Sequence, residues 1–376
     1  MGLTAGGKTM KRMICLLLAA LMLPFGALAG DTWEDVDAPV TFENGVLSPA
    51  QGAEETPAAP RVDPANDPWP KEILITVGGD CTLGCTETQH ESPKGFDTIV
   101  AQKGVDWPFS GLRALFASDD LTLVNLEGPL TDATGKKEKK FNFKGAMAYA
   151  GMLTGASVEA VNLANNHYAD YGEQGKKDTV AALEAAGVTY CAQGKTAIYE
   201  TRGVKIGLIG NTFPYQNGKR DISADVKALR AEGCQIVLAA FHWGSEYDYN
   251  FTGDQRRIGR AAVKAGADAV VGHHPHVIQG IEKYEDTYIL YSLGNLVFGG
   301  NVDPDDRSTY LAQLTFTVNE DGSVEGPQLK IIPALLTELK TDTDYRPVLA
   351  GGDTAASILK RILGRSSNMD GFVNPD

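Results

Sequence analysis

The sequence predicts an α/β layered fold. Short apolar, β-branched runs recur from residue 71 onward, helix-patterned stretches separate several of them, and glycine closes both kinds of element. Strands alternating with helices bury a sheet beneath helical layers.

In chain order, residues 73–77 (Ile-Leu-Ile-Thr-Val) read as a buried strand stopped by Gly78-Gly79. Similar runs occupy residues 121–126, 160–163, 204–209, 236–241, 269–271, 288–291 and 311–318. Residues 175–186 carry Ala and Leu at helical spacing and close on Gly187, a residue suited to the left-handed turn after a helix. A second helix is expected over 254–265, capped by Asp254 and ending before Gly266. Residues 308–336 read as strands added at a sheet edge, with a turn at Asn319-Glu320-Asp321-Gly322. The expected domain spans 71–340. Residues 341–376 form a C-terminal extension, packed on the domain or partly disordered, with a helix near 355–363.

The N-terminus follows a different logic. Lys8, Lys11 and Arg12 precede an apolar run from Met13 to Leu23, and Ala27-Leu28-Ala29 follows. That is the pattern of a secretory leader cut after Ala29, with an uncleaved membrane anchor as the alternative. The expected location is therefore outside the cytoplasm. Residues 30–70, rich in Pro, Ala and acid, lack apolar periodicity and read as a disordered tether.

Of 376 residues, 34 are Lys or Arg and 48 are Asp or Glu, a net charge of −14. Removing residues 1–29, which hold three cations and no acid, takes it to −17. Such a balance argues against nucleic acid as a partner, because phosphate binding needs clustered Lys and Arg. It also repels anionic polymers unless a bound cation or a local basic spot intervenes. Beyond the leader, Cys81, Cys85, Cys191 and Cys234 remain. A local Cys81–Cys85 disulfide, buried free thiols and soft metal ligation are all open at this level.

Chemistry is concentrated in the histidines. Five of the six fall just beyond expected strands: His167, His242, His273, His274 and His276; His90 reads as a loop residue. Asp80 follows the first strand, Asn125 and Glu127 share one face of the second, and Asn166 adjoins His167. Ligands of open α/β sheets bind outside the carboxyl ends of the strands, so these residues can converge. Each has a bland reading as well: a turn former for Asp80, a helix start for Asn165-Asn166-His167, a satisfied core imidazole for His242. In His274-Pro275-His276 the proline is expected to hold His274 extended and fix the angle between the two rings. Imidazole, carboxylate and amide oxygen together suit zinc, manganese or iron better than calcium.

Six motifs in order resemble the CapA-type poly-γ-glutamate capsule synthesis proteins. They are residues 77–84 around Asp80, 124–129 around Asn125 and Glu127, 163–172 around Asn166 and His167, 241–247 beginning Phe241-His242-Trp243, 272–276, and 291–295. The resemblance covers about residues 72–300. It implies a calcineurin-like metallophosphoesterase fold, a four-layer αββα sandwich. It further implies two divalent metals, Mn, Zn or Fe, held by Asp80, Glu127, Asn166, His242, His274 and His276. Asp80 and His167 would then be catalytic, with Asn125, Lys144, Trp243, Glu246, Ser292 and Asn295 lining the substrate. Two positions depart from the wider metallophosphoesterase pattern: Cys81-Thr82 replaces the x-His after Asp80, and Asn125-Leu126-Glu127 replaces the second Asp motif. The implied partners are an anionic polymer or phosphoester substrate and membrane-bound capsule synthesis proteins.

Overall fold

The computed structural model describes residues 67–213 and 222–375. The leader and nearly all of the expected tether lie outside the described residues. The described residues include 67–70, ahead of the expected boundary at 71. Asp67 is buried against Arg202 (Oδ2 to Nε, 2.7 Å), and an ion pair to Lys71 adds to it.

Two sheets form the centre. The first has eight strands: β1 (Lys71–Thr82), β2 (Leu121–Leu126), β3 (Ala160–Asn162), β4 (Thr189–Cys191), β11 (Asn295–Phe298), β12 (Ser308–Val318), β13 (Val324–Leu335) and β14 (Val348–Leu349). Its order is β14-β13-β12-β1-β2-β3-β4, with β11 also paired to β1. The second has six strands in the order β5-β6-β7-β8-β10-β9. These are β5 (Ala197–Thr201), β6 (Val204–Thr212), β7 (Ile236–His242), β8 (Ala269–His273), β9 (Ile281–Tyr284) and β10 (Thr287–Leu290). Residues 308–336 therefore do not simply line an edge. The β12–β13 hairpin brings β12 inside the sheet, antiparallel to β1.

Side-chain alternation along the strands sorts the core into three apolar layers. Ile73, Ile75, Leu121, Leu123, Ile236 and Leu238 face between the sheets. Their alternates Val124 and Leu126 face the helices α2 (Phe96–Lys103), α4 (Ala150–Gly155) and α5 (Gly172–Ala186), which supply Phe96, Val100, Leu153 and Leu183. On the far side Val237, Ala239 and Phe241 meet α6 (Ser223–Ala231) and α7 (Gly253–Lys264) through Val226, Leu229, Ile258 and Ala262. The order of layers is thus helix, sheet, sheet, helix. Two short helices, α1 (Glu87–His90) and α3 (Arg113–Phe116), complete the first helical side. A C-terminal helix, α8 (Gly352–Gly364), inserts Ile358 and Ile362 into the layer between the sheets, so the end of the chain packs on the domain.

Three local expectations are corrected. Gly78-Gly79 does not end the first strand: β1 runs on to Thr82, with a register shift between Val77 and Asp80. Gly78 makes room for the Leu296 and Val124 side chains, and Gly79 for the neighbouring backbone. A Cβ on Gly79 would lie 2.1 Å from Gly294 O, where Asp80 N donates to that same oxygen at 2.9 Å. Helix α7 is capped by Thr252, whose side chain accepts from Gln255 N, and not by Asp254. His90 closes α1 rather than sitting in a loop. Gly187, with φ of 72°, ends α5 in the left-handed turn that the sequence calls for.

Candidate metal centre

Parallel pairing sets neighbouring strands side by side with their carboxyl ends level, and the site grows from those ends. In the first sheet Asp80 pairs in register with Asn125, and Asn125 with Asn162. Glu127 stands one residue beyond β2, and the turn Asn165–Asp170 follows β3. In the second sheet His242 and His273 end adjacent strands in register. His274 and His276 lie on the turn beyond β8. Two sheets thus deliver one cluster.

Glu127 is at its centre. The carboxylate is fully buried, and neither oxygen has a hydrogen-bond partner among the described residues. Three imidazole nitrogens surround Oε1 instead: His242 Nε2 at 3.7 Å, His276 Nε2 at 3.8 Å and His167 Nε2 at 3.9 Å. Those gaps are too long for hydrogen bonds. They match ligand atoms that share an ion at about 2.0–2.2 Å from each, which stand roughly 3–4 Å apart. Asp80 repeats the pattern, 3.4 Å from His276 Nδ1 and 3.5 Å from His273 Nδ1. Candidate donor atoms fall within 4.8 Å of one another in three overlapping sets: Glu127, His242 and His274; Asp80, Glu127 and His276; Glu246, His274 and His276.

Surrounding amides fix the ligands. Asn125 Nδ2 donates to Asp80 Oδ1 at 2.8 Å, and its own Oδ1 accepts from Asn162 Nδ2 at 2.9 Å. Asn295 Oδ1 sits 2.9 Å from His276 Nδ1, which leaves Nε2 to face Glu127. Asn166 Oδ1 lies 2.8 Å from His242 Nε2, so these two candidate ligands hold each other. His167 is held at Nδ1 by Asp170 Oδ2 at 2.7 Å, under the Phe143 ring.

Burial and neighbours divide the protons. Burial, together with the Asp80 charge, pushes Glu127 well above the usual carboxylate range. Burial works against a charged His276, but the Glu127 and Asp80 carboxylates overcome it and raise His276 to about 9. Burial also opposes an ionised Asp80, yet the neighbouring His273 and His276 rings hold it well below its usual range. Burial and the neighbouring rings push His242 well down, and His274 down to about 4. Without a cation, these shifts favour protons at Glu127 and His276. A divalent cation supplies positive charge instead, from a position that both can ligate. The donors fit one.

Several of the expected substrate contacts are engaged with the protein itself. Trp243 is fully buried, stacks on Phe241 at 4.8 Å and donates from Nε1 to Tyr291 O. Ser292 is turned inward to donate to Val277 O. Lys144 donates to Ala133 O and lies over the Tyr171 ring. Asn125 and Asn295 hold ligands, whereas Glu246 is exposed at the mouth beside His274 and His276. Proline does not hold His274 extended. His274 takes φ of 99° and His276 φ of 59°, in a turn where His274 N donates to Asp80 Oδ2 at 3.2 Å. The cost of such backbone angles is tolerated where the surroundings over-determine them.

The sequence reading missed His273 as a neighbour of Asp80, Asp170 as the partner of His167, and Lys139. Lys139 Nζ lies 2.5 Å from Asp170 Oδ1 and 3.1 Å from His167 Nδ1. Asp170 stood within the Asn166–His167 motif and could have been found there; Lys139 carried no local signal. All four described cysteines are free and buried, which settles the cysteine alternatives against a Cys81–Cys85 disulfide. Cys85, His90 and Asp97 also cluster, but Asp97 already accepts from Cys85 Sγ, His90 and the Tyr149 hydroxyl. That group is satisfied as it stands; Glu127 is not.

Comparison with known proteins decides the family. Residues 74–300, more than half of the chain, match the family described as bacterial capsule synthesis protein PGA_cap. The chain belongs to that family. Among curated members, the PGA biosynthesis protein CapA of Bacillus subtilis is 31% identical over 270 residues, spanning 66% of this chain and 71% of that protein. The capsule biosynthesis protein CapA of Bacillus anthracis is 30% identical over 256 residues, or 61% and 60% of the two chains. A probable polyglutamine synthesis accessory protein of Mycobacterium tuberculosis is 26% identical over 341 residues, 73% and 90%. Every candidate ligand of this PGA_cap member lies inside the matched span.

Two outcomes follow from the geometry. Because its carboxyl titrates above the unfolded value, Glu127 subtracts stability as pH rises past the usual glutamate range. Glu127→Gln is therefore expected to stabilise the metal-free protein at pH 7 by about 1–3 kcal/mol, read by denaturant midpoint, and to weaken metal uptake. Metal must also displace the proton on His276. Affinity in chelator competition is expected to rise by about tenfold per pH unit from pH 6 towards 9, where His276 loses its proton unaided.

Proposed function

We propose that this protein acts outside the cytoplasm in poly-γ-glutamate capsule biosynthesis, as a metal-dependent hydrolase of a γ-glutamyl amide or phosphoester bond. The observation that carries the reading is the orphaned Glu127 carboxylate within a ring of imidazoles. The family and the names of its curated members support the polymer. The leader pattern ending at Ala29 supports the location and membrane-bound synthesis proteins as partners.

In this reading Asp80, Glu127, Asn166, His242, His274 and His276 hold one or two Mn, Zn or Fe ions. Such ions supply Lewis acidity to an anionic or carbonyl oxygen and activate water near neutral pH. The chain's own part is orientation and proton transfer. Asp170 fixes His167 at Nδ1, so Nε2 faces the cluster and hands a proton to the departing nitrogen or oxygen. Burial lowers the His167 pKa against the opposing pull of Asp170, which eases release of that proton. Asn125 and Asn295 keep Asp80 and His276 aimed throughout.

A second reading, a non-catalytic grip on polyglutamate within a synthesis or export assembly, draws on Lys139, whose ammonium beside His167 attracts a carboxylate whether or not a bond is cut. Turnover separates the two. Metal-loaded protein is assayed on polyglutamate and on a chromogenic phosphodiester, with and without chelator. Hydrolysis of either, abolished by chelator and lowered at least about a hundredfold in His274→Ala, is the expected result. Tight metal with no turnover on either substrate overturns the hydrolase and leaves the grip.

A further inference from the structure

A run of lysines on a loop is ordinarily a solvated face. Residues 136–140, Lys-Lys-Glu-Lys-Lys, carry a net +3 in a chain of net −14, and their setting is not that of a free loop. The segment has no regular structure, yet it is tied to the metal centre. Lys137 N donates to Asp170 O, and Phe143 N donates to Asp170 Oδ2, the oxygen that also holds His167. A cavity of about 460 Å³ lies between this segment and helix α1, and the four lysines contribute to its wall.

The ammonium groups divide into two kinds. Lys136 is paired with Glu87 across the cavity, and Lys139 is paired with Asp170 beside His167. Lys137 and Lys140 form no ion pair among the described residues; Lys140 lies over the Phe141 ring. The positive wall therefore starts at a group touching the centre and continues away from it along exposed backbone.

We propose that residues 136–140 form a polycarboxylate-binding subsite, a basic track that seats an extended anionic chain and leads it to the metal centre. This deepens the polymer reading above and rests on it. The track answers a problem set by the composition. A polymer with one carboxylate per residue is repelled by most of this acidic surface. Local field from clustered lysines admits it at one place, next to the reacting groups. Lys139 is the inner end of the track, where a substrate carboxylate meets an ammonium already fixed against Asp170. Lys137 and Lys140 are the outer positions.

The test combines Lys136→Gln, Lys137→Gln and Lys140→Gln, leaving Lys139 and its contacts in place. Binding of fluorescein-labelled poly-γ-glutamate to metal-loaded full chain is followed by anisotropy from 50 to 300 mM salt. The variant is expected to bind about tenfold more weakly at low salt and to show a shallower salt dependence, with metal content and thermal midpoint unchanged. Affinity within twofold of the unsubstituted protein overturns the subsite while leaving the hydrolase reading intact. Polyphosphate of matched charge, bound as tightly as polyglutamate by the unsubstituted protein, overturns the polycarboxylate assignment. Failure of that protein to bind polyglutamate at all sinks both this subsite and the polymer reading.

Discussion

The arrangement at the meeting of the two sheets depends on one buried carboxylate that no donor among the described residues satisfies. Removing Glu127 from water without a donor is costly, and isolated buried charges persist only when paired or bound to a cation. Here three imidazoles stand close enough to share an ion with it and too far to hydrogen-bond to it. Apolar layers on both faces of both sheets hold these groups in place, so the cluster cannot relax by collapsing. The fold keeps the cage open at some expense in stability, which is typical of a site selected for its ligand rather than for the resting protein.

Much of this was legible from the sequence because position along a strand is a local property. Asp80, Glu127, His242 and His274 each follow an apolar run, and parallel strands bring such ends together without any knowledge of distant contacts. Residues whose roles depend on which way a side chain turns were not legible. Trp243 follows His242 directly, yet the alternation of the strand sends one to the metal side and the other into the helix-facing core. Ser292 and Lys144 sit near the site in sequence and form their contacts with backbone elsewhere. Lys139 reaches His167 from 28 positions away, across α4 and β3, a closure that no periodicity encodes.

Electrostatics links the centre to the rest of the surface. For an acidic protein to handle an acidic polymer, as proposed, cationic charge is needed somewhere, and two sources lie side by side. One is the ion proposed for the Glu127 carboxylate and its surrounding imidazoles; the other is the lysine segment clamped against Asp170. Asp170 connects them, since its two oxygens contact His167 on one side and Lys139 on the other. A carboxylate arriving at Lys139 would therefore be felt at the imidazole that faces Glu127.

Anomalous diffraction from crystals grown with manganese or zinc, recorded at the metal edge, tests the cage directly. A peak at about 2.0–2.3 Å from a Glu127 carboxylate oxygen, with imidazole nitrogens of the second sheet at similar range, is the predicted result. A map without density at Glu127, or with its strongest peak at Cys85, His90 and Asp97 instead, would contradict it.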